Sequence, residues 1–143
     1  MQGINIFSGE KGLGGALTNP TELAKSKGSI AQRYPLSYHK HQFVDAEQAY
    51  QVLKTGARAY DDEMMANLIS QKFLQYPRLM DEVTKRGGVA FLEACSHMTG
   101  AHSDGAKAWE GHGRESRFIR NLIAGYEKAL AGEVLYNGQP SLF

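Results

Sequence analysis

The stretch Asp61-Asp62-Glu63-Met64-Met65-Ala66-Asn67-Leu68-Ile69-Ser70-Gln71-Lys72-Phe73-Leu74-Gln75 carries its large apolar residues at Met64, Met65, Leu68, Ile69 and Phe73. That spacing places them on one stripe of a 3.6-residue period and no strand alternation matches it, so a helix over about 61–75 is predicted. The stripe is wide enough to need other helices against it, which points to a multihelical core.

Outward from there the same period recurs. Pro77 suits the first turn of a following helix, with Leu79, Met80 and Val83 inward and Gly87-Gly88 as its stop. Phe118, Ile119, Leu122, Ile123, Tyr126 and Leu130 mark a last strong helix over about 116–131, ended by Gly132. Upstream, Asp45 reads as an N-cap with Gln48 in the capping-box place, and Ala46, Ala49, Tyr50 and Leu53 form the apolar face behind it. Thr18-Asn19-Pro20-Thr21-Glu22 starts a shorter helix that ends near Gly28. Ile4 to Phe7 reads as a short strand, Ser8 to Gly15 as a flexible loop, and Tyr34 to Phe43 as extended or looped. Val89 to Ala94 reads as a strand or a helical turn, with the strand favoured, Val134 to Tyr136 as a strand, and Cys95 to Glu115 as a long loop. The expectation is therefore a mainly α, single compact multihelical domain over residues 1–143 with a few short β-strands.

Composition narrows the function classes. The 143 residues suffice for one domain with a core. Sixteen basic against 15 acidic residues leave a net charge of +1, so there is no global electrostatic case for nucleic acid or a membrane surface. One cysteine permits no internal disulfide, and no apolar run reaches the length of a membrane span, so a cytoplasmic protein is expected.

Several tempting motifs carry little. Gly9-Glu10-Lys11-Gly12-Leu13-Gly14-Gly15 lacks the Gly-Lys-Ser/Thr ending of a phosphate loop and reads as a flexible connection whose amides can still touch an anion. His39, His41, His97, His102 and His112 do not fall in zinc-ligand spacing, so no metal site is expected and they read as exposed or hydrogen-bonded. Cys95 reads as a buried small hydrophobe rather than a nucleophile. The helix after Asp45 is the informative place. Glu47, Gln51 and Lys54 stand at i, i+4 and i+7 on one face, either as a solvated surface or as an acid, an amide and an amine lined up on a cleft.

Phe43-Val44-Asp45-Ala46-Glu47-Gln48-Ala49-Tyr50-Gln51-Val52-Leu53-Lys54 resembles the signature helix of the NADAR (YbiA-like) superfamily. Lys72-Phe73 followed by Leu79, Phe91-Leu92-Glu93-Ala94, Trp109-Glu110-Gly111-His112-Gly113 and the opening Ile4 to Asn19 resemble further segments of that family in the same order. Gln48 stands where the family has histidine and Glu110 where it has glycine, the Asn-x-Leu-Gly helix start is absent, and the loop Cys95 to Lys107 is longer. The resemblance implies an N-glycosidase of ribosylated compounds that needs no cofactor. Its expected partner is a small ribosyl or ADP-ribosyl ligand, of the riboflavin-pathway or ADP-ribosyl-guanine type, and an ADP-ribosylated nucleobase in nucleic acid fits the same chemistry. It implies Glu47, Lys54 and Lys72 as catalytic residues, with Asn19, Gln48, Gln51, Glu93, Trp109, Glu110 and Ser116 at the substrate. Arg33 and Arg114 are candidates for phosphate oxygens. The alternative is a non-catalytic binder of an ADP-ribose-like or nucleotide ligand.

Overall fold

The structure, a computed structural model, describes residues 1–138. Helix α4 (Arg58–Gln75) is its axis, and Met64, Met65, Leu68, Ile69 and Phe73 are all buried, as the stripe predicts. Helix α8 (Arg117–Gly138) lies along α4 and buries Phe118, Ile119, Leu122, Ile123 and Tyr126. The two backbones approach closely because of Gly125, where a Cβ would lie 2.6 Å from Ile69 Cγ2 and 2.9 Å from the Ala66 carbonyl. Burying side chains of this size stabilises by about 1.5–3 kcal/mol each relative to exposure, which makes the α4–α8 pair the main store of folding energy.

The remaining elements wrap this pair. Helices α3 (Ala46–Leu53) and α5 (Pro77–Arg86) pack on α4 and α6 (Val89–Glu93) on α8, while α1 (Leu13–Leu17) packs on α5, α2 (Thr21–Ser26) packs on α1, and a short α7 (Asp104–Lys107) lies in the loop before α8. Strands β1 (Leu36–Tyr38) and β2 (His41–Phe43) form an antiparallel hairpin in the segment expected to be extended, with Leu36 opposite Phe43. Strands β3 (Ser96–His97) and β4 (Gly111–His112) form a second pair, and a 3₁₀ turn Gly113–Glu115 leads into α8. Eight helices and 57% helix make the domain mainly helical among the described residues. None of the described helices is long and apolar enough to cross a membrane.

Four expectations are corrected. Val89–Glu93 is helical, the less favoured of its two readings, with the adjacent Phe91 and Leu92 both buried, a pattern that a helix facing the core and a strand covered on both sides share. Gly88, at φ +65, turns the chain into that helix. The Ser8 to Gly15 loop ends in the start of α1, and two of its glycines answer packing rather than flexibility. A Cβ on Gly14 would lie 2.6 Å from the Asn5 carbonyl, and one on Gly15 would lie 2.4 Å from that of Glu10. The 95–115 segment contains β3, α7, β4 and the 3₁₀ turn instead of running as open loop. Finally, α8 continues through Gly132 and takes in Val134 to Tyr136, since one glycine weakens a helix by only about 1 kcal/mol. Ile4 to Phe7 is extended but pairs only through an Asn5–Ser96 bridge.

Candidate functional site

Helix α3 is fixed at both ends, and that fixing sets the direction of its polar face. At its start, Asp45 Oδ1 accepts from the Gln48 amide at 2.9 Å, while Oδ2 accepts from the Glu22 amide of α2 at 3.0 Å. One carboxylate thus satisfies orphan donors of two helices. The Asn19 carbonyl accepts the Glu47 amide at 3.2 Å, which joins the Thr18–Pro20 turn to the same helix start. At the far end, Asp61 of α4 accepts from the Thr55 amide (2.8 Å), the Thr55 hydroxyl (2.9 Å) and the Gly56 amide (2.8 Å). Burial alone would raise the Asp61 pKa. The three hydrogen bonds, helped by the charge of Arg117, outweigh it and hold the carboxyl below its usual range.

Between these anchors the face of α3 opens on a cleft of about 800 Å³. That volume is within the usual span for small-molecule sites. Glu47, Gln51 and Lys54 all line it, Glu47 half-buried and the other two exposed. Gln51 Nε2 donates to Glu47 Oε1 at 3.0 Å and orients the carboxylate. Asn19 also lines the cleft, 4% exposed, with a buried Oδ1 that has no partner among the described residues.

The opposite wall is aromatic. Trp109 sits between the Tyr50 ring, edge-on at 5.6 Å, and the Arg117 guanidinium, 3.8 Å from its ring centre. Arg117 is held in turn by Asp62, with Nε 2.7 Å from Oδ1. Ser116 holds the loop: its hydroxyl donates to the Trp109 carbonyl at 2.7 Å and accepts the Ile119 amide at 3.1 Å. Flat, polarisable walls of this kind suit a heteroaromatic ring.

The other expected site residues take different places. Lys72 does not line the cleft. Its Nζ is buried and donates to the carbonyls of Ala16 (2.6 Å) and Thr18 (2.8 Å), so it fastens the end of α1. Burial pushes its pKa down to about 7 against the opposing pull of Asp45. Gln48 is exposed on the other side of α3, where its Oε1 accepts the Val44 amide at 2.7 Å. Ser116 supports the wall from behind without lining it. Glu93 pairs with Arg114 at 2.7 Å on the surface, and Arg33 pairs with Glu22 at 3.0 Å; neither arginine reaches the cleft. Glu110 lies behind Thr99, accepting from its amide and from its hydroxyl at 2.9 Å, and these bonds lower its pKa.

Sequence reading missed Tyr50, Asp61, His97, Thr99 and Arg117 as cleft residues. Tyr50 was assigned wholly to the apolar face, and Asp61 acts on residues five and six places upstream, a spacing with no motif. Arg117 had one usable signal, its place directly after the helix-capping Ser116. No protein-family model, curated protein or solved structure matches the chain.

Proposed function

We propose that the protein cleaves the N-glycosidic bond of a ribosylated base or ADP-ribosyl adduct, of the riboflavin-intermediate or ADP-ribosyl-guanine type. The observation that carries this reading is the Glu47 carboxylate, half-buried and oriented by Gln51, in one cleft with the Tyr50–Trp109–Arg117 stack. The resemblance of the α3 run to the NADAR signature supports it.

The chemistry follows from charge. As the base leaves, positive charge builds on the ribose, and a fixed carboxylate beside the anomeric carbon lowers the energy of that state. The aromatic wall holds the departing ring by stacking. A Schiff-base route through lysine has less support. Lys54 reaches the cleft but is exposed, and the Lys72 side chain does not line the cleft, its amine being committed to the carbonyls of Ala16 and Thr18.

The test is incubation with an ADP-ribosylated guanine nucleoside and with a riboflavin-pathway ribosylamine, following free base. Wild type releases base, and Glu47→Gln lowers turnover by about 10²–10⁴-fold while binding is largely kept. Equal turnover by the two would reject Glu47. Tight ADP-ribose binding without release of base from either compound would make the protein a binder instead.

A further inference from the structure

His97 is the one histidine of the chain that lines the cleft, and the sequence distinguishes it in no way from the other four. Its Nδ1 lies 2.6 Å from the Ile6 carbonyl oxygen. A carbonyl only accepts, so Nδ1 must carry the hydrogen, and in the neutral ring Nε2 is then the bare lone pair. Nε2 has no partner among the described residues and is not sealed from solvent. The ring cannot turn freely: it lies against Phe118 at 4.7 Å between centres, and its backbone is locked in the β3–β4 pair, His97 opposite Gly111.

We infer that His97 is the general base of the cleft, accepting through Nε2 the proton of the water that attacks the anomeric carbon. This rests on the N-glycosidase reading and adds to it the residue that moves the proton. The water oxygen forms the bond to the anomeric carbon as the carbon–nitrogen bond breaks, and that electron pair stays with the base nitrogen. The water proton goes to Nε2 and passes from there to the departed nitrogen. The products are the sugar with a hydroxyl and the free base, and His97 ends neutral as it began. Glu47 then steadies the cationic sugar without having to serve as base as well.

The surroundings suit both halves of that cycle. Burial lowers the His97 pKa, so the ring is neutral and ready at pH 7, while the Ile6 hydrogen bond and the Glu110 carboxylate favour its protonated form and oppose that shift. Glu110 is kept ionised by the two Thr99 hydrogen bonds, which gives its otherwise unexplained position a use: a fixed negative charge near a ring that becomes positive during turnover. The remaining charged groups lining the cleft are Glu47, Lys54, Arg58, Asp61 and Arg117. Among charged groups, Glu110 is the one whose charge bears on the His97 ring.

His97→Asn tests this cleanly, because the asparagine amide can keep the donation to Ile6 and has no atom where Nε2 stood. With the ADP-ribosylated guanine nucleoside as substrate, wild-type kcat/KM should rise with pH through an acid limb below the ordinary imidazole range and then level. His97→Asn should lose that limb and about 10²–10⁴-fold in turnover, with its melting temperature and ADP-ribose affinity little changed. If Glu47→Gln is inactive while His97→Asn keeps both turnover and the limb, the inference falls and the glycosidase reading stands. If wild type releases no base, both fall. Should the variant not fold, ¹⁵N spectra of the wild-type ring decide: an Nε2-protonated tautomer at neutral pH, or a titration away from the acid limb, would overturn the assignment.

Discussion

The guanidinium carbon of Arg117 stands 3.8 Å from the centre of the Trp109 ring, over its face, while its Nε is 2.7 Å from Asp62 Oδ1. The arginine is thereby fixed from two sides, by a carboxylate of α4 and by the ring it covers. This contact joins the long loop after β3 to the first turn of α8, so the aromatic wall of the cleft depends on it.

Trp109 is the only tryptophan, so tryptophan emission reports on this wall of the cleft. Arg117→Ala removes the stacked cation and uncovers the ring, and the emission should move to longer wavelength. Urea unfolding should show a loss of about 1–2 kcal/mol, the scale of a partly desolvated cation–π contact. In wild type, addition of ADP-ribose should change the emission, and in Arg117→Ala it should do so only at higher concentration. Emission and stability both equal to wild type would mean that the stack does not persist in solution.

The parts of the fold that could be read in advance were those with a period. Met64 to Phe73 and Phe118 to Tyr126 repeat over several turns, and a repeated pattern survives the loss of any single contact. Short elements failed because tertiary contacts decide them: Val89–Glu93 has room for little more than one helical turn, and Gly14 and Gly15 are glycines because neighbouring backbone leaves no space for a Cβ. The same division holds in the cleft. Glu47, Gln51 and Lys54 lie on one helix and share a face by period alone. His97 and Asp61 come from separate elements, and only the folded chain brings them to that face.

Lys72 gives a pH dependence whose sign differs from the usual ion-paired lysine. Its pKa falls on folding from 10.5 to about 7, because burial penalises the charged form. Between these values the unfolded chain holds more protons, so stability rises with pH across that window. The neutral amine still has two N–H groups for the Ala16 and Thr18 carbonyls, so deprotonation keeps both bonds. Lys72→Met orphans those carbonyls, at about 1–3 kcal/mol each, and also removes the desolvated charge. The two effects oppose each other most below pH 7. The deficit of Lys72→Met in urea unfolding should therefore be smallest near pH 6 and grow steadily to pH 10. A difference that did not vary with pH would mean that folding leaves this proton equilibrium unchanged.

The two lysines also decide between water and amine as the attacking group. A Schiff base needs an amine that is free, desolvated and within reach of the anomeric carbon. Lys54 is within the cleft but exposed; Lys72 is desolvated, yet it does not line the cleft and its amine is committed to the carbonyls of Ala16 and Thr18. Borohydride added during turnover reduces an iminium to a stable secondary amine, so any sugar–lysine intermediate would remain on the protein. Intact mass after such a quench should equal that of untreated protein, while release of free base proceeds normally in the unquenched control. Lys54→Ala should retain measurable turnover, with at most a weaker hold on the substrate. A sugar adduct mapped to Lys54 and absent from Lys54→Ala would instead establish amine attack, and it would remove the need for the His97 base. An adduct on Lys72 would require the end of α1 to let go of that side chain, which hydrogen exchange at the Ala16 to Asn19 amides would register as loss of protection.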